Sequence, residues 1–264
     1  MIRAGAWWYV LLAIGWTWGF GSAAVALHHS AGDPLHLVTL GGPVVALGAA
    51  LSTDRTGAYR RRFLRRVVDL RQLSPRSWLG IAVVGAGPVL VATMADIGSG
   101  HQTVLAPDLT AAAVAGIVAF ALAAGLVEEP GWRGVAVDGL ADRSLPATAV
   151  VLGVLWSAWH LPLYLIEGTY QHGLGVGTQE FWVSMAIRVP LAVLLVWLAR
   201  RDGGAIVAAV CAHALGNVLG ETLSAGTGAT LVELAAVTVG AAVVVVVWGR
   251  ATGRPSRRVS PSPR

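Results

Sequence analysis

The sequence consists largely of long apolar runs separated by short polar loops. Eight such runs can be marked, most of them about twenty residues long, which is the length that crosses a bilayer as an α-helix. Because backbone polar groups in lipid must be satisfied within the segment, such runs predict helices. The pattern predicts an all-α bundle of about eight transmembrane helices, over residues 6–27, 36–52, 78–97, 108–140, 146–166, 181–199, 204–224 and 229–248.

The distribution of arginine predicts how these helices are oriented. Eighteen of the 19 arginines lie in alternate loops, beside them or at the two ends of the chain. The other loops, such as HHSAGDPL (28–35) and EGTYQHGLGVGTQE (167–180), contain no arginine. Positive residues near span ends mark the cytoplasmic side, so we predict a multi-pass protein of the cell membrane with both termini in the cytoplasm. The same surface predicts contact with anionic lipid headgroups.

The composition excludes a soluble globular domain. The chain is 55% hydrophobic and 12% charged, against roughly 25% charged residues in typical soluble proteins. Its pI of about 10.3 would suit a nucleic-acid-binding protein, but the arginines follow the loops, so we expect the membrane surface and no nucleic acid as the partner. All basic residues are arginine and 33 residues are glycine, a bias typical of a high-G+C bacterial genome.

The chain is predicted to form one integral membrane domain, over residues 1–248, followed by a basic disordered cytoplasmic tail over 249–264. Cys211 is the single cysteine, so no intramolecular disulfide can form. The segment YRRRFLRRVVDLRQL (59–73) predicts an interfacial helix. Its apolar residues are expected to enter the acyl boundary while its arginines meet the headgroups, and these apolar residues are Phe63, Leu64, Val67 and Leu70.

A few ionisable and amide side chains lie inside the apolar runs, where a charge is costly. At 1.5 Å per helical residue, Glu128 lies about 20 Å from the turn near residue 141 and His160 lies about 21 Å from residue 146. Asn217 lies about 20 Å beyond residue 204, on a third helix. Because three helices bring polar groups to one level, we predict one functional site, made of Glu128, Glu129, Arg133, His160, His213 and Asn217.

Helical spacing predicts different roles for the two adjacent acids. Glu129 and Arg133 are i,i+4 neighbours and should form an ion pair. Glu128 points about 100° away and has no partner in its own helix, so we expect its carboxylate to face a cavity. His213 and Asn217 share one helix face by the same i,i+4 spacing.

Arg188 is the remaining arginine and lies inside the sixth apolar run. An unpaired cation at that position would be costly. We predict a structural ion pair between Arg188 and one acid, the candidates being Glu180, Glu221 and Glu233.

Three short motifs in this region resemble those of a known family. EEPGWR fits a pattern of two glutamates followed by arginine, WSAWH fits an aromatic residue four positions before histidine, and HALGN fits histidine four positions before asparagine. In this order, over roughly residues 107–220, they resemble the CPBP family of intramembrane proteases. That family includes CAAX prenyl endopeptidases of the Ras-converting type and bacterial members linked to bacteriocin self-immunity and abortive infection. Trp156 stands where phenylalanine is commoner in the family.

The resemblance implies an intramembrane endopeptidase that hydrolyses a peptide bond of a membrane-anchored or hydrophobic peptide. Glu128 and His160 would activate a water molecule. His213 and Asn217 would stabilise the oxyanion, and Glu129 with Arg133 would organise the site. Such chemistry needs a positioned base and donors aimed at the developing negative charge, which this residue set can supply.

The cofactor expected from the sequence is none. Zinc bound by Glu128, His160 and His213 is the alternative, since one glutamate and two histidines can make a zinc site. The HExxH signature is absent and Asn217 is a poor zinc ligand. We therefore favour a metal-free, glutamic type of hydrolysis.

A non-enzymatic membrane protein is the rival class, either a proton-relay transporter or a scaffold. A relay also uses intramembrane carboxylates and histidines, but it does not need an oxyanion pair such as His213 and Asn217. No inverted repeat of the transporter kind is visible in the sequence. All four catalytic positions are filled, which argues against an inactive scaffold.

Overall fold

The computed structural model describes residues 2–54, 57–100, 109–140, 144–223 and 227–252, and the regular elements in these ranges are helical. The all-α prediction is therefore confirmed for the described part of the chain. The α-helices are α1 (Ile2–Ala26), α2 (Pro34–Leu40), α3 (Gly42–Ser52), α4 (Ala58–Val68), α5 (Pro75–Gly85), α6 (Gly87–Gly98), α7 (Ala111–Glu129), α8 (Ala136–Gly139), α9 (Leu145–Trp159), α10 (Tyr170–Gly173), α11 (Gln179–Ala199), α12 (Ile206–Thr222) and α13 (Thr227–Thr252).

The candidate membrane spans differ in number from the eight apolar runs. Five are helical segments long and apolar enough to cross a bilayer, and two more arise if each bent pair, α2 with α3 and α5 with α6, counts as one span. Helix α12 is apolar but has only 17 residues, about 26 Å at 1.5 Å per residue, against a core of roughly 30 Å. The chain is a multi-pass membrane protein, and the count of eight spans stays a prediction.

Proline explains the bends within the two helix pairs. The axes turn by 45° between α2 and α3 and by 41° between α5 and α6. Pro43 and Pro88 each lie in the first turn of the second helix of a pair. A proline lacks the backbone N–H and clashes with the carbonyl four residues earlier, so it starts a helix easily and interrupts a continuous one.

Helices α11 and α12 form the centre of the bundle. Helix α11 packs against α9, α12 and α13, while α12 also packs against α5 and α7. Their cores are formed by small and branched apolar residues such as Ala192, Val196 and Ala209, all of them buried. Glycine permits the close crossing of α9 and α11, because a Cβ at Gly153 would lie 2.8 Å from the Cα of Val189.

The interfacial segment 59–73 contacts the protein more than expected. Helix α4 is amphipathic, but Phe63 and Val67 are buried in the core, with only Leu64 and Leu70 about half exposed. A Cβ at Gly134 would lie 2.7 Å from the Phe63 ring, so this glycine makes room for that ring. The prediction that all four apolar residues enter the lipid is therefore wrong for Phe63 and Val67.

One partly buried carboxylate joins two of the basic segments. Asp138 of α8 accepts hydrogen bonds from Arg66 at 2.6 Å and Arg200 at 2.8 Å, and from the Tyr59 hydroxyl at 3.0 Å. Tyr59 and Arg66 belong to α4 and Arg200 follows the end of α11, so these two arginine-bearing segments meet beside α8. Asp138 was not among the predicted functional residues.

Two of the arginine-free loops also meet each other. The backbone N–H of Ala31 donates a 2.8 Å hydrogen bond to the carbonyl of Glu167, which joins the loop after α1 to the loop after α9.

At the other end of the chain, α13 runs to Thr252, past the predicted boundary of the tail at residue 248. The predicted tail from residue 253 onwards lies outside the described residues.

Candidate active site

Helix α7 changes from lipid-exposed to fully buried at the two adjacent acids. Residues such as Phe120 and Leu126 are largely exposed, whereas each residue from Glu128 to Val137 is buried. The acids therefore lie where the helix enters the bundle, and protein groups rather than lipid surround them. This position explains how two carboxylates can follow an apolar run.

A π-helical turn from Pro130 to Val135 follows the acids directly. Pro130 has no backbone N–H, so the regular bond to the carbonyl four residues earlier cannot form. In a π-turn each hydrogen bond spans one residue more than in an α-helix, so the turn is wider. Such π-bulges occur frequently at functional sites. Here it redirects Trp132 and Arg133, which are both completely buried.

Trp156 of α9 lies at the centre of the site. Its indole Nε1–H donates a 2.6 Å hydrogen bond to Oε2 of Glu128. Its ring makes edge contacts with the rings of His160 and His213, at centroid distances of 5.5 and 5.8 Å. The guanidinium carbon of Arg133 lies 4.2 Å from the Trp156 ring centroid, in a cation–π contact.

His160 lies at the C-terminal end of α9, and its ring orientation is fixed by the backbone. Its Nδ1 is 2.7 Å from the carbonyl oxygen of Trp156. A carbonyl can only accept, so Nδ1 carries a proton and Nε2 is the nitrogen left for chemistry. The Trp159 ring packs against the imidazole at 4.5 Å, and the Trp159 indole donates to Thr17 on α1.

Glu129 joins two helices through its two carboxylate oxygens. Oε2 lies 3.1 Å from Nε of Arg133, and Oε1 lies 2.8 Å from Nδ1 of His213 on α12. The expected i,i+4 ion pair with Arg133 is present, although its geometry is not aligned as a hydrogen bond. The contact with His213 was not predicted. Through this contact Glu129, on α7, orients the imidazole ring of His213, on α12.

Asn217 is the one predicted site residue without a direct contact to this cluster. It is half-buried on α12, four residues after His213, so the two side chains share one helix face. Its amide makes no hydrogen bond to the described residues. The structure thus gathers Glu128, Glu129, Arg133, His160 and His213 around Trp156 and leaves the Asn217 amide uncommitted.

Arg188 does not form the ion pair expected from the sequence. Its Nη1 donates to the Tyr164 hydroxyl at 3.1 Å, to the Ser184 hydroxyl at 3.0 Å and to the Ser184 carbonyl. Among the described residues, its hydrogen-bond acceptors are neutral oxygens. The prediction of pairing with Glu180, Glu221 or Glu233 is therefore wrong, because Ser184 on the same helix and Tyr164 in the turn after His160 supply neutral acceptors close by.

The donor set does not form a metal site in this structure. Within the described ranges, no three His, Cys, Asp or Glu side chains converge as ligands of one ion would. Nδ1 of His213 and Oε2 of Glu128 face protein partners, which leaves Nε2 of His213 and Oε1 of Glu128 as the atoms that could bind an ion. Zinc ligation by Glu128, His160 and His213 would require these three side chains to move closer to one another.

An apolar cavity of about 490 Å³ adjoins the site beyond His160. It lies between α1, the turn that follows His160, and the start of α11. Its walls include Trp18, Val25, Pro162, Tyr164 and Phe181. None of the six predicted site residues lines this cavity, so it is separate from the polar cluster.

Tyr9 of α1 belongs to the same neighbourhood and was missed in the sequence. It is buried, its ring makes an edge contact with Trp132 at 5.5 Å, and its hydroxyl lies against Gly131. In the sequence it stands in AWWYV beside two tryptophans, where it is indistinguishable from an interfacial aromatic residue.

Comparisons with known proteins match the segment that carries this cluster. Residues 110–219 match the family model of type II CAAX prenyl endopeptidase, Rce1-like. The chain is also similar to CAAX prenyl protease 2 of Methanococcus maripaludis, with 29% identity over 129 residues, which is 47% of this chain and 47% of that protein. The chain thus aligns with about half the length of the curated relative it matches. The resemblance to the CPBP family predicted from the three motifs is confirmed over this segment.

Proposed function

We propose that this protein is a glutamic-type intramembrane endopeptidase that hydrolyses a peptide bond of a membrane-associated or hydrophobic peptide. The observation that carries the proposal is the convergence of Glu128, His160 and His213 on Trp156, within the bundle and on three different helices. The match to type II CAAX prenyl endopeptidases supports the same class of reaction. A proton relay would not need this arrangement of base and donors.

In the proposed reaction, Glu128 and Nε2 of His160 hold one water molecule. Glu128 accepts a proton as the water oxygen attacks the peptide carbonyl carbon, which gives a tetrahedral intermediate with a negative oxygen. Glu128 then delivers that proton to the leaving amine as the C–N bond breaks. The indole donor on Oε2 of Glu128 holds the carboxylate in one orientation while its other oxygen, Oε1, receives and releases the proton.

The oxyanion donors come from α12. The Asn217 amide has no other hydrogen-bond partner among the described residues, so its N–H can be directed at the intermediate. His213 donates Nδ1–H to Glu129, and its protonated ring has Nε2–H as a second donor for the oxyanion. Glu129 and Arg133 position His213 and do not touch the substrate.

The proposal is metal-free. The carboxylate, the two imidazoles and the amide can supply the base and oxyanion functions, and within the described ranges no three His, Cys, Asp or Glu side chains are gathered as the ligands of one ion would be. The relative is named for CAAX prenyl substrates. For this chain, we propose a wider class of peptides anchored by an apolar group, because the 490 Å³ cavity beyond His160 can hold an apolar side chain or lipid tail.

The proposed location is the cell membrane, with the arginine-bearing face in the cytoplasm against anionic headgroups. Comparative peptidomics of a wild-type strain and a Glu128→Gln strain tests the function in the cell. We expect membrane-derived peptides that are present only in the wild type. Identical peptide profiles under conditions in which the protein is expressed would contradict the proposal.

A further inference from the structure

The phenolic hydroxyl of Tyr9 is a buried polar group without a partner. Tyr9 lies on α1 with its side chain 1% exposed, and its Oη has no hydrogen-bond partner among the described residues. A buried hydroxyl that forms no hydrogen bond destabilises the folded protein, because it has lost its bonds to water without replacement. Retention of the hydroxyl at this position therefore points to a role for it.

Gly131 brings this hydroxyl to the turn that carries the acids. A Cβ at Gly131 would lie 1.9 Å from Oη of Tyr9, so any other residue would force the two groups apart. Gly131 lies inside the π-turn, two residues after Glu129. Tyr9 is thus seated on the backbone of EEPGWR at Gly131, within one helical turn of Glu128, Glu129 and Arg133 along the chain.

Among these three charged neighbours, Glu128 is the one with an oxygen that is in neither a hydrogen bond nor an ion pair with the described residues. Arg133 can only donate. Both oxygens of Glu129 face protein charges: Oε2 forms an ion pair with Arg133 without an aligned hydrogen bond, and Oε1 is hydrogen-bonded to His213. Glu128 receives the Trp156 indole on Oε2, while its Oε1 has no hydrogen bond to the described residues. A phenol donor and a carboxylate oxygen can share one water molecule that accepts from the first and donates to the second.

We propose that Tyr9 is a positioning residue for Glu128, and that its hydroxyl donates through one bridging water to Oε1 of that carboxylate. The proposal rests on the role of Glu128 in the proposed function. Tyr9 would act with Trp156 so that each carboxylate oxygen is oriented by one donor. It lies on α1, outside the matched segment 110–219, so the resemblance to the family does not supply this residue.

Tyr9→Phe tests the proposal, since it removes the hydroxyl and keeps the ring against Trp132 and Gly131. The matched control is Tyr59→Phe, which removes a hydroxyl that is hydrogen-bonded to Asp138, away from the site. Cleavage is measured with purified protein in liposomes on two quenched-fluorescence peptides, one farnesylated with a C-terminal CAAX sequence and one unprenylated hydrophobic peptide. Infrared titration of the carboxyl band, with Glu128→Gln as the blank, follows Glu128 without turnover.

We expect Tyr9→Phe to lower kcat about tenfold with little change in KM, the effect of one supporting hydrogen bond. A donor stabilises the ionised carboxylate, so its loss should move both the acid limb of activity and the infrared titration to higher pH, by about half a unit to one unit. The thermal midpoint should not fall, because the change removes a hydroxyl that has no protein partner. Tyr59→Phe should lower the midpoint and leave both titrations unchanged.

Wild-type kcat and an unmoved infrared titration in Tyr9→Phe would overturn the proposal. A lower thermal midpoint with no shift in either titration would also overturn it, since that result assigns Tyr9 to packing alone. The proposed function fails separately, when wild-type protein cleaves neither peptide. In that case the infrared shift still decides whether Tyr9 positions Glu128.

Discussion

The indole of Trp156 is hydrogen-bonded to Oε2 of Glu128 at 2.6 Å, across the interface of α7 and α9. The same tryptophan accepts from His160 through its backbone carbonyl and supports the guanidinium of Arg133 on its ring. One residue therefore contacts Glu128, the proposed base, His160, the proposed second water-binding group, and Arg133, the counter-ion of Glu129. A motif that requires only an aromatic ring at this position leaves these polar contacts unspecified.

Trp156→Phe should show how much the indole N–H contributes apart from the aromatic ring. The ring contacts with the histidines and Arg133 can persist, but the hydrogen bond to Glu128 is lost. We expect kcat to fall about tenfold, as for the loss of one hydrogen bond to a carboxylate. The measurement is steady-state cleavage by purified protein, with Trp182→Phe as the control because Trp182 is largely exposed. Equal activity of the two variants would show that the ring alone suffices.

Asn217→Ala should remove one oxyanion donor. The expected loss is about 10²–10³-fold in kcat with KM little changed. Stability should be unaffected, because the Asn217 amide makes no hydrogen bond to the described residues. Thermal unfolding in detergent is measured alongside cleavage. A loss of activity that merely parallels a loss of folded protein would contradict the assigned role.

Glu129→Gln should act mainly on stability. The carboxylate is completely buried between Arg133 and His213, and its neutralisation leaves the buried guanidinium without a counter-ion. Loss of one partner of a buried ion pair typically costs about 3–5 kcal/mol, so a clear fall in the thermal midpoint is expected. Asp69→Asn is the control, since this more exposed residue accepts only a local backbone hydrogen bond from Arg71. An unchanged midpoint in Glu129→Gln would refute the structural role.

The topology is tested by thiol labelling in a Cys211→Ala background. A cysteine in place of His172, in an arginine-free loop, should react with a membrane-impermeant reagent in intact cells. A cysteine in place of Arg71, in the basic segment after α4, should react only after permeabilisation. Labelling of residue 172 only from the cytoplasmic side would contradict the predicted orientation.

Local spacing predicted the features that depend on one helix. The helical class, the Glu129–Arg133 pair and the shared face of His213 and Asn217 all follow from the apolar runs and the i,i+4 rule. The three motifs also marked the segment that matches the family model. These features need no knowledge of which helices are neighbours.

Contacts between distant segments of the chain could not be predicted from local spacing. The seating of Tyr9 on Gly131 depends on α1 crossing the π-turn, and the joining of Arg66 and Arg200 by Asp138 depends on three separate segments. Arg188 illustrates the same limit in part, because Ser184 lies one turn earlier on the same helix, whereas the Tyr164 hydroxyl is brought close only by the fold. Sequence spacing shows which residues share a helix face, but it does not show which other segment that face contacts.

The claim that Glu128 activates water without a metal is tested most directly by cleavage of a membrane-inserted peptide by purified protein. Wild type and Glu128→Gln are compared with and without a strong chelator. We predict that wild type cleaves equally under both conditions and that Glu128→Gln loses at least about 10²–10⁴-fold in rate while remaining folded. Chelator-sensitive, zinc-rescued activity would contradict the metal-free mechanism, and full activity of Glu128→Gln would contradict the account as a whole.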